Sequence, residues 1–300
     1  MRQKKAKRKS EKVNEPLAKN WYNCSAKINL FLDVIGHRND GFHKIKSVFA
    51  EIDLADKISI KLTEKPDIKI SCTSKEIPDR DNLVYKVSCY LKDKYNVKQG
   101  IEINLKKNIP LAAGLGGGSS DAAQTLLLCN KVWNLNLTAK QLQSIAEKFG
   151  SDISFFLQGG LCLVSGRGEK VEPLETNLQV ANVLLVKPKF PISSREAYSL
   201  VKIQKAQNRK FEKSIKALQT NNLNLLTENI YNALEPEIIS RYAEIKQIKN
   251  KLKKSGSLGN LMSGSGPTVF AIFDNYDELL KTQRYFNKNK YWSCRTSIKN

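Results

Sequence analysis

The chain has 300 residues, 41% of them apolar and 26% charged, enough for a sizeable core in one large or two smaller domains. These proportions exclude wholesale disorder, collagen and coiled coil, and no apolar run approaches the roughly 18 residues of a membrane span. Net charge is the one extreme value, +21 from 50 basic and 29 acidic residues, and it raises a polyanion as a partner to be weighed.

Residues 1–19 carry eight basic and two acidic side chains and too little apolar surface to bury, so a disordered basic tail is expected. No apolar stretch follows those charges, which argues against a signal peptide, and no membrane partner is expected. The cysteines (Cys24, Cys72, Cys89, Cys129, Cys162 and Cys294) include no C-x-x-C pair. Reduced, buried thiols in a cytoplasmic protein are expected, not a metal site or a disulfide frame.

Alternation predicts strands over 26–35, 46–53, 57–63 and 67–72, with a turn over 36–41. Leu83, Val87, Tyr90 and Leu91 share one face of a predicted helix over 82–95, and a short strand follows over 101–105. Helices are predicted over 120–133 and 138–149, the second opened by Thr138 with Gln141 at the capping-box position. Strands are predicted over 161–165 and 183–187, then helices over 194–202, 211–219, 223–233 and 237–255. A glycine-rich turn at 263–267, a strand over 268–274 and a helix over 276–287 complete the pattern. Mixed order with runs of adjacent strands argues an α+β fold, with a boundary near residue 185 that separates 20–185 from 186–300.

The strongest chemical signal is P-L-A-A-G-L-G-G-G-S-S-D-A-A at 110–123, between a predicted strand and an apolar helix. Gly114, Gly116, Gly117 and Gly118 let backbone amides converge on a ligand with no Cβ in the way. The helix that follows adds free amides and a partial positive charge, and Ser119 and Ser120 add hydroxyls. The combination describes an anion cradle suited to a nucleoside triphosphate. It is neither G-x-x-x-x-G-K-[ST] nor G-x-G-x-x-G.

This loop resembles the phosphate-binding motif of the GHMP kinases. S-A-K-I-N-L-F-L at 25–32 and M-S-G-S-G-P-T-V-F at 262–270 resemble two further motifs of that family, in the right order. The likeness covers nearly the whole chain beyond the tail. R-N-D-G-F-H-K-I-K-S-V-F at 38–49 and G-S-D-I-S-F-F-L-Q-G-G at 150–160 resemble segments of one branch. That branch phosphorylates the 2-hydroxyl of 4-diphosphocytidyl-2-C-methylerythritol in the non-mevalonate route to isoprenoid precursors.

The resemblance implies a two-lobed α+β fold, like ribosomal protein S5 domain 2 in the N-terminal lobe and ferredoxin-like in the C-terminal lobe. ATP and a small-molecule substrate would meet in the cleft. It implies Asp152 as acceptor of the hydroxyl proton and Lys27 as the cation that pairs with it and neutralises charge on the moving phosphoryl group. For the nucleotide it implies Pro110, Leu111, Ala112, Ala113, Gly114, Leu115, Gly116, Gly117, Gly118, Ser119 and Ser120, with Asn82 and Lys107 framing the adenine. Mg²⁺ is implied as well, with Ser119 or Ser120 as a candidate contact and no carboxylate ligand identified. At the substrate end, Phe42 and Tyr198 would sandwich the cytosine, His43 would read its polar edge, and Asn29 would lie near the reacting hydroxyl. Phe42, Ser151 and Ser154 stand where that branch usually has Tyr, Ala and Pro, and none of these changes removes a charged catalytic group.

Two other readings stay open on residues alone. Another small-molecule kinase of the family, such as a mevalonate kinase, would keep Lys27 and Asp152 but would not need the D-G-F-H segment. A basic RNA-binding protein on an S5-like fold would use the net charge and the tail. It would leave the glycine loops without a purpose, and no basic stripe interleaved with aromatics lies outside the tail. No nucleic-acid partner is therefore expected, and the chain is expected as a monomer or homodimer.

Overall fold

A computed structural model describes residues 20–76, 78–176, 178–203 and 206–299. The predicted tail, 1–19, lies outside the described residues. The fold is built on two long antiparallel strands, β1 (Tyr22–His37) and β2 (His43–Thr63). The strands predicted over 46–53 and 57–63 are therefore one strand of 21 residues. The register shifts between Ser25 and Ala26, which pair with Ala55 and Ile52, so Asp53 and Leu54 bulge out of the β1 pairing.

The first half of β2 pairs with β5 (Leu161–Gly166) and the second half with β4 (Gly100–Lys106). β3 (Ile68–Cys72) runs parallel to β4 at one edge, β6 (Lys170–Pro173) extends β5, and β8 (Tyr231–Asn232) runs parallel to β1. The result is a seven-stranded mixed sheet. Helices α1 (Leu83–Lys94), α2 (Gly117–Val132) and α3 (Ala139–Phe149) bury an apolar cluster against it, including Val84, Val87, Leu126, Cys129 and Ile145 with Ile58, Ile60 and Ile103 of the sheet. Thr138 and Gln141 form both halves of the predicted capping box.

The second sheet is antiparallel throughout, in the order β11 (Trp292–Thr296), β7 (Val183–Lys187), β10 (Val269–Ile272), β9 (Gly259–Met262). β6, β8, β9 and β11, of two to five residues, were not among the predicted strands. The helix predicted over 223–233 stops at Asn229, and β8 follows it. The one predicted over 237–255 is two helices, Glu235–Arg241 and Ala243–Lys254, broken at Tyr242, which leaves the helical region at φ −121°, ψ 79°.

The two sheets are not packed independently. Ile28, Phe31 and Val48 of the first share one apolar cluster with Leu185 and Phe270 of the second, together with Leu226 and Ile298. The chain end seals the join. The Asp53 amide donates to the Ser297 carbonyl (3.1 Å) and the Lys299 amide to the Glu51 carbonyl (2.8 Å), so the bulge in β2 is satisfied by the C-terminal segment. Ile298→Ala should cost about 2 kcal/mol, toward the low end for a buried isoleucine because the site lies at the edge. Thermal unfolding followed by circular dichroism should show the midpoint falling by a few degrees, with no change in the folded spectrum.

Candidate active site

β1 is covered on both faces, so residues 24–34 are all buried. Lys27 and Asn29 alternate on one side of it. Lys27 is only 4% exposed, and its ammonium must be met by protein groups. Nζ donates to Asn29 Oδ1 at 2.7 Å, lies 3.6 Å from Asp152 Oδ2, and sits 4.6 Å from the centre of the Phe49 ring. Asn29 donates in turn to Ser47 Oγ (3.3 Å), whose hydroxyl bonds the Phe31 carbonyl. Burial pulls the Lys27 pKa below its ordinary value, and the Asp152 charge reverses this only in part.

Asp152 precedes the short helix α4 (Ile153–Gln158). A helix cap is the plain reading of an Asp in that place, but its side chain makes no capping hydrogen bond. It is about one-third exposed and turned to Lys27.

The glycine loop crosses directly over this pair. The Leu115 carbonyl accepts the Lys27 amide at 3.0 Å. Gly114 and Gly116 adopt left-handed backbone at φ +73° and +72°. A Cβ on Gly114 would fall 2.1 Å from the Ser263 carbonyl, and one on Gly116 would fall 2.8 Å from the Phe156 ring and 3.2 Å from Lys27 Cγ. Helix α2 begins at Gly117, three residues ahead of its predicted start, because a first turn needs no hydrogen-bonded amide and hides glycine's low propensity. A Cβ on Gly117 would crowd Ile109 at 2.9 Å, whereas one on the exposed Gly118 would meet only Leu83 Cδ1 at 3.9 Å. The face at Gly118 is thus open, and the unpaired amides of the first helical turn lie there. Ser119 is half-buried at that opening and Ser120 is buried. Ala113 and Leu115 point into the core, so their part in the loop is packing, while Pro110, Leu111 and Ala112 lie toward its surface.

The second glycine turn docks onto the first. Ser263 Oγ donates to the Gly114 carbonyl (3.0 Å), and a Cβ on Gly264 would come within 3.1 Å of Asn29 Oδ1, the Gly114 carbonyl and Lys27 Nζ. Asn232 Nδ2 holds that turn by donating to the carbonyls of Met262 (2.7 Å) and Gly264 (2.8 Å). Sequence reasoning singled out the turn but assigned it no site residue. Nothing in the sequence marks Asn232, whose place is set by β8.

Phe42 and His43 stand where β1 turns into β2. Arg38 pairs with Asp40 (2.8 Å), and Asp40 accepts the Phe42 amide (3.2 Å), which fixes the turn. The ring that faces Tyr198 is His43, with centroids 5.3 Å apart, whereas Phe42, 49% exposed, lies by the Arg167 guanidinium at 5.0 Å. His43, the first residue of β2, thus packs on Tyr198, while Phe42, just ahead of the strand, keeps an exposed ring. His43 is held below the ordinary histidine range by burial and by His37, whose ring centre is 4.7 Å away. The Tyr198 phenol is pushed up by burial and by the Asp152 charge.

Asn82 accepts the Val84 amide (3.0 Å) as the cap of α1, beside the Leu83 that borders Gly118. Lys107 is turned inward. Its ammonium lies between Asp56 and Asp121, at 2.6 Å from the latter, so its charge is spent inside the protein and does not face an open surface. Burial pulls the Lys107 ammonium down, and the two carboxylates more than reverse it. Burial pushes the Asp121 carboxyl up to about 7 despite Lys107. Among the described residues, no three or more His, Cys, Asp or Glu side chains form a metal-binding group, and no helix is long and apolar enough to cross a membrane.

Comparison with known proteins follows the same geometry. Residues 82–160, which hold the glycine loop and Asp152, match the GHMP kinases N terminal domain, and residues 214–291, which hold the second turn, match GHMP kinases C terminal. The chain is 39% identical over 270 residues to a Clostridium perfringens 4-diphosphocytidyl-2-C-methyl-D-erythritol kinase, covering 89% of this chain and 92% of that one. It is 44% identical over 262 residues to the protein of that name from Thermoanaerobacter sp., covering 86% and 89%. A crystal structure of a 4-(cytidine 5'-diphospho)-2C-methyl-D-erythritol kinase superposes with a TM-score of 0.80 at 26% identity, over 94% of this chain and 100% of that one. With both domain models matched in order and close relatives aligned over nearly their full length, the chain belongs to the GHMP kinase family.

Proposed function

We propose that this chain transfers the γ-phosphoryl group of ATP to the 2-hydroxyl of 4-diphosphocytidyl-2-C-methyl-D-erythritol. The observation that carries this reading is the Lys27–Asp152 pair beneath two interlocked glycine turns. The names of the relatives supply the substrate class. The division near residue 185 would separate a nucleotide-binding part from a C-terminal part that returns the second turn to the site. The six free thiols fit a cytoplasmic setting.

The open face at Gly118 fits a triphosphate, since a Cβ there would stand in free space that phosphate oxygens can enter. A Mg²⁺ ion arriving with ATP would take most of its ligands from phosphate and water, with the Ser119 hydroxyl at the edge of the cradle, and would neutralise charge on the phosphates. Asn82, with Leu83 beside it, would border the adenine. Asp152 orients the acceptor hydroxyl and takes up its proton. Lys27 is held in place by Asn29 and faces both Asp152 and the loop, so it can neutralise charge as the bond to the leaving group breaks. A γ-phosphate beside Lys27 would restore the charged form that burial disfavours. His43 and Tyr198 provide the cytosine face, with Phe42 at its outer rim.

Three outcomes test this reading. Asp152→Asn should keep shape and substrate binding while kcat falls by about 10²–10⁴, the usual effect of losing a positioned base. Combined with Lys27→Ala, the double variant should lose much less than the product of the single losses. Near-normal turnover by Asp152→Asn would remove that residue from the chemistry. His43→Ala should raise KM for the cytidyl alcohol with little change in KM for ATP, and the opposite pattern would mean that the two ends of the cleft are reversed. Gly118→Val should weaken ATP binding measured by calorimetry with the melting temperature preserved, whereas Gly117→Val should also lower the melting temperature because its side chain would strike Ile109. Normal ATP affinity in Gly118→Val would place the phosphates elsewhere.

A further inference from the structure

Asp56 lies in β2 opposite Cys24 and is 0% exposed. Burying a carboxylate so completely is costly unless its oxygens are satisfied. Oδ1 accepts the amides of Asn108 and of Ile109 (2.8 Å), and Oδ2 meets the Lys107 ammonium. All of these hydrogen bonds go to the stem that enters the glycine loop at Pro110, and none ties Asp56 to its own sheet. The far end of the loop is held as well. A Cβ on Gly117 would lie 3.4 Å from Asp56 Oδ2, so the start of α2 is packed against the same carboxylate. Lys107 carries the link one turn further to Asp121 of α2 at 2.6 Å. A single buried group therefore clamps residues 107–109 and the first turns of α2, and the span left between is the phosphate-binding loop itself.

We propose that Asp56 is a positioning residue for nucleotide binding, holding both ends of the glycine loop in the shape that cradles phosphate. This deepens the kinase reading and rests on it. An apolar residue could fill the same volume, but it could not accept two successive amides and a lysine at once. The free energy of the clamp is thus directed at loop geometry, and its loss should appear in ATP affinity before it appears at the cytidyl end, where no Asp56 contact lies.

The test uses the full-length enzyme and AMP-PNP, a non-hydrolysable ATP analogue, by calorimetry alongside steady-state kinetics. Asp56→Ala should raise the Kd for AMP-PNP at least tenfold and raise KM for ATP in step, with KM for the cytidyl alcohol within twofold of wild type. Asp56→Asn keeps one amide-accepting oxygen and should fold, with Kd raised only about threefold. An Asp56→Ala enzyme with AMP-PNP affinity within twofold of wild type would overturn the proposal, as would an equal rise in both KM values. If Asp56→Ala does not fold, Asp56→Asn decides, and unchanged affinity there overturns the proposal. Failure of the wild-type enzyme to phosphorylate the cytidyl alcohol would instead count against the kinase reading, because AMP-PNP binding does not depend on the acceptor.

Discussion

A lysine ammonium buried inside a sheet is the constraint on which the site depends. Lys27 has three protons to place and almost no water to place them in. Asn29 takes one, Asp152 supplies the countercharge, and the Phe49 ring faces the remainder. Asp152 stands at 3.6 Å, an ion-pair distance and not a tight hydrogen bond, so the protein alone does not satisfy the charge in full. The depressed Lys27 pKa expresses the same deficit. A site in this condition favours an anionic ligand, because a phosphate completes what the fold leaves incomplete.

The same burial explains the glycines. For backbone to reach Lys27 from two directions, two loops must approach each other within van der Waals contact, and side chains at Gly114, Gly116 and Gly264 would occupy the space they share. These glycines serve protein against protein. Gly118 is of another kind, since nothing of the protein crowds it. One run of glycine thus combines positions crowded by the protein with one left open, and only the atoms around each position distinguish them.

The site is also a device for joining the two halves of the chain. Lys27 and Asn29 come from β1, Asp152 from the segment before α4, and Gly264 from a turn between β9 and β10 of the second sheet. That turn is held by Asn232, which sits on a two-residue strand paired with β1. The shared apolar cluster and the C-terminal segment laid over the β2 bulge fix the distance between the sheets, and with it the contact between the two turns. Rigid positioning of reactive groups contributed by distant segments is what phosphoryl transfer asks of a protein that does little covalent chemistry of its own.

Sequence by itself determined the α+β class and, apart from the false break within β2, the strand and helix order through α3, and it marked 110–120 as an expected anion cradle, whereas Lys27 and Asp152 became candidates only through the family resemblance. Local periodicity, capping chemistry and the backbone demands of glycine act within a few residues and so are written in the chain. What only the tertiary structure decided were relations between distant segments. β2 is one strand because its bulge is satisfied some 240 residues later by the C-terminal segment. The packing of the His43 ring on Tyr198, with Phe42 left exposed, depends on where α5 (Ser194–Leu200) lies against the start of β2. Lys107, which the resemblance sets beside the adenine, is held between Asp56 and Asp121, acids 51 and 14 residues away. Charge pairing of this kind depends on distance through space, and no pattern along the chain encodes it.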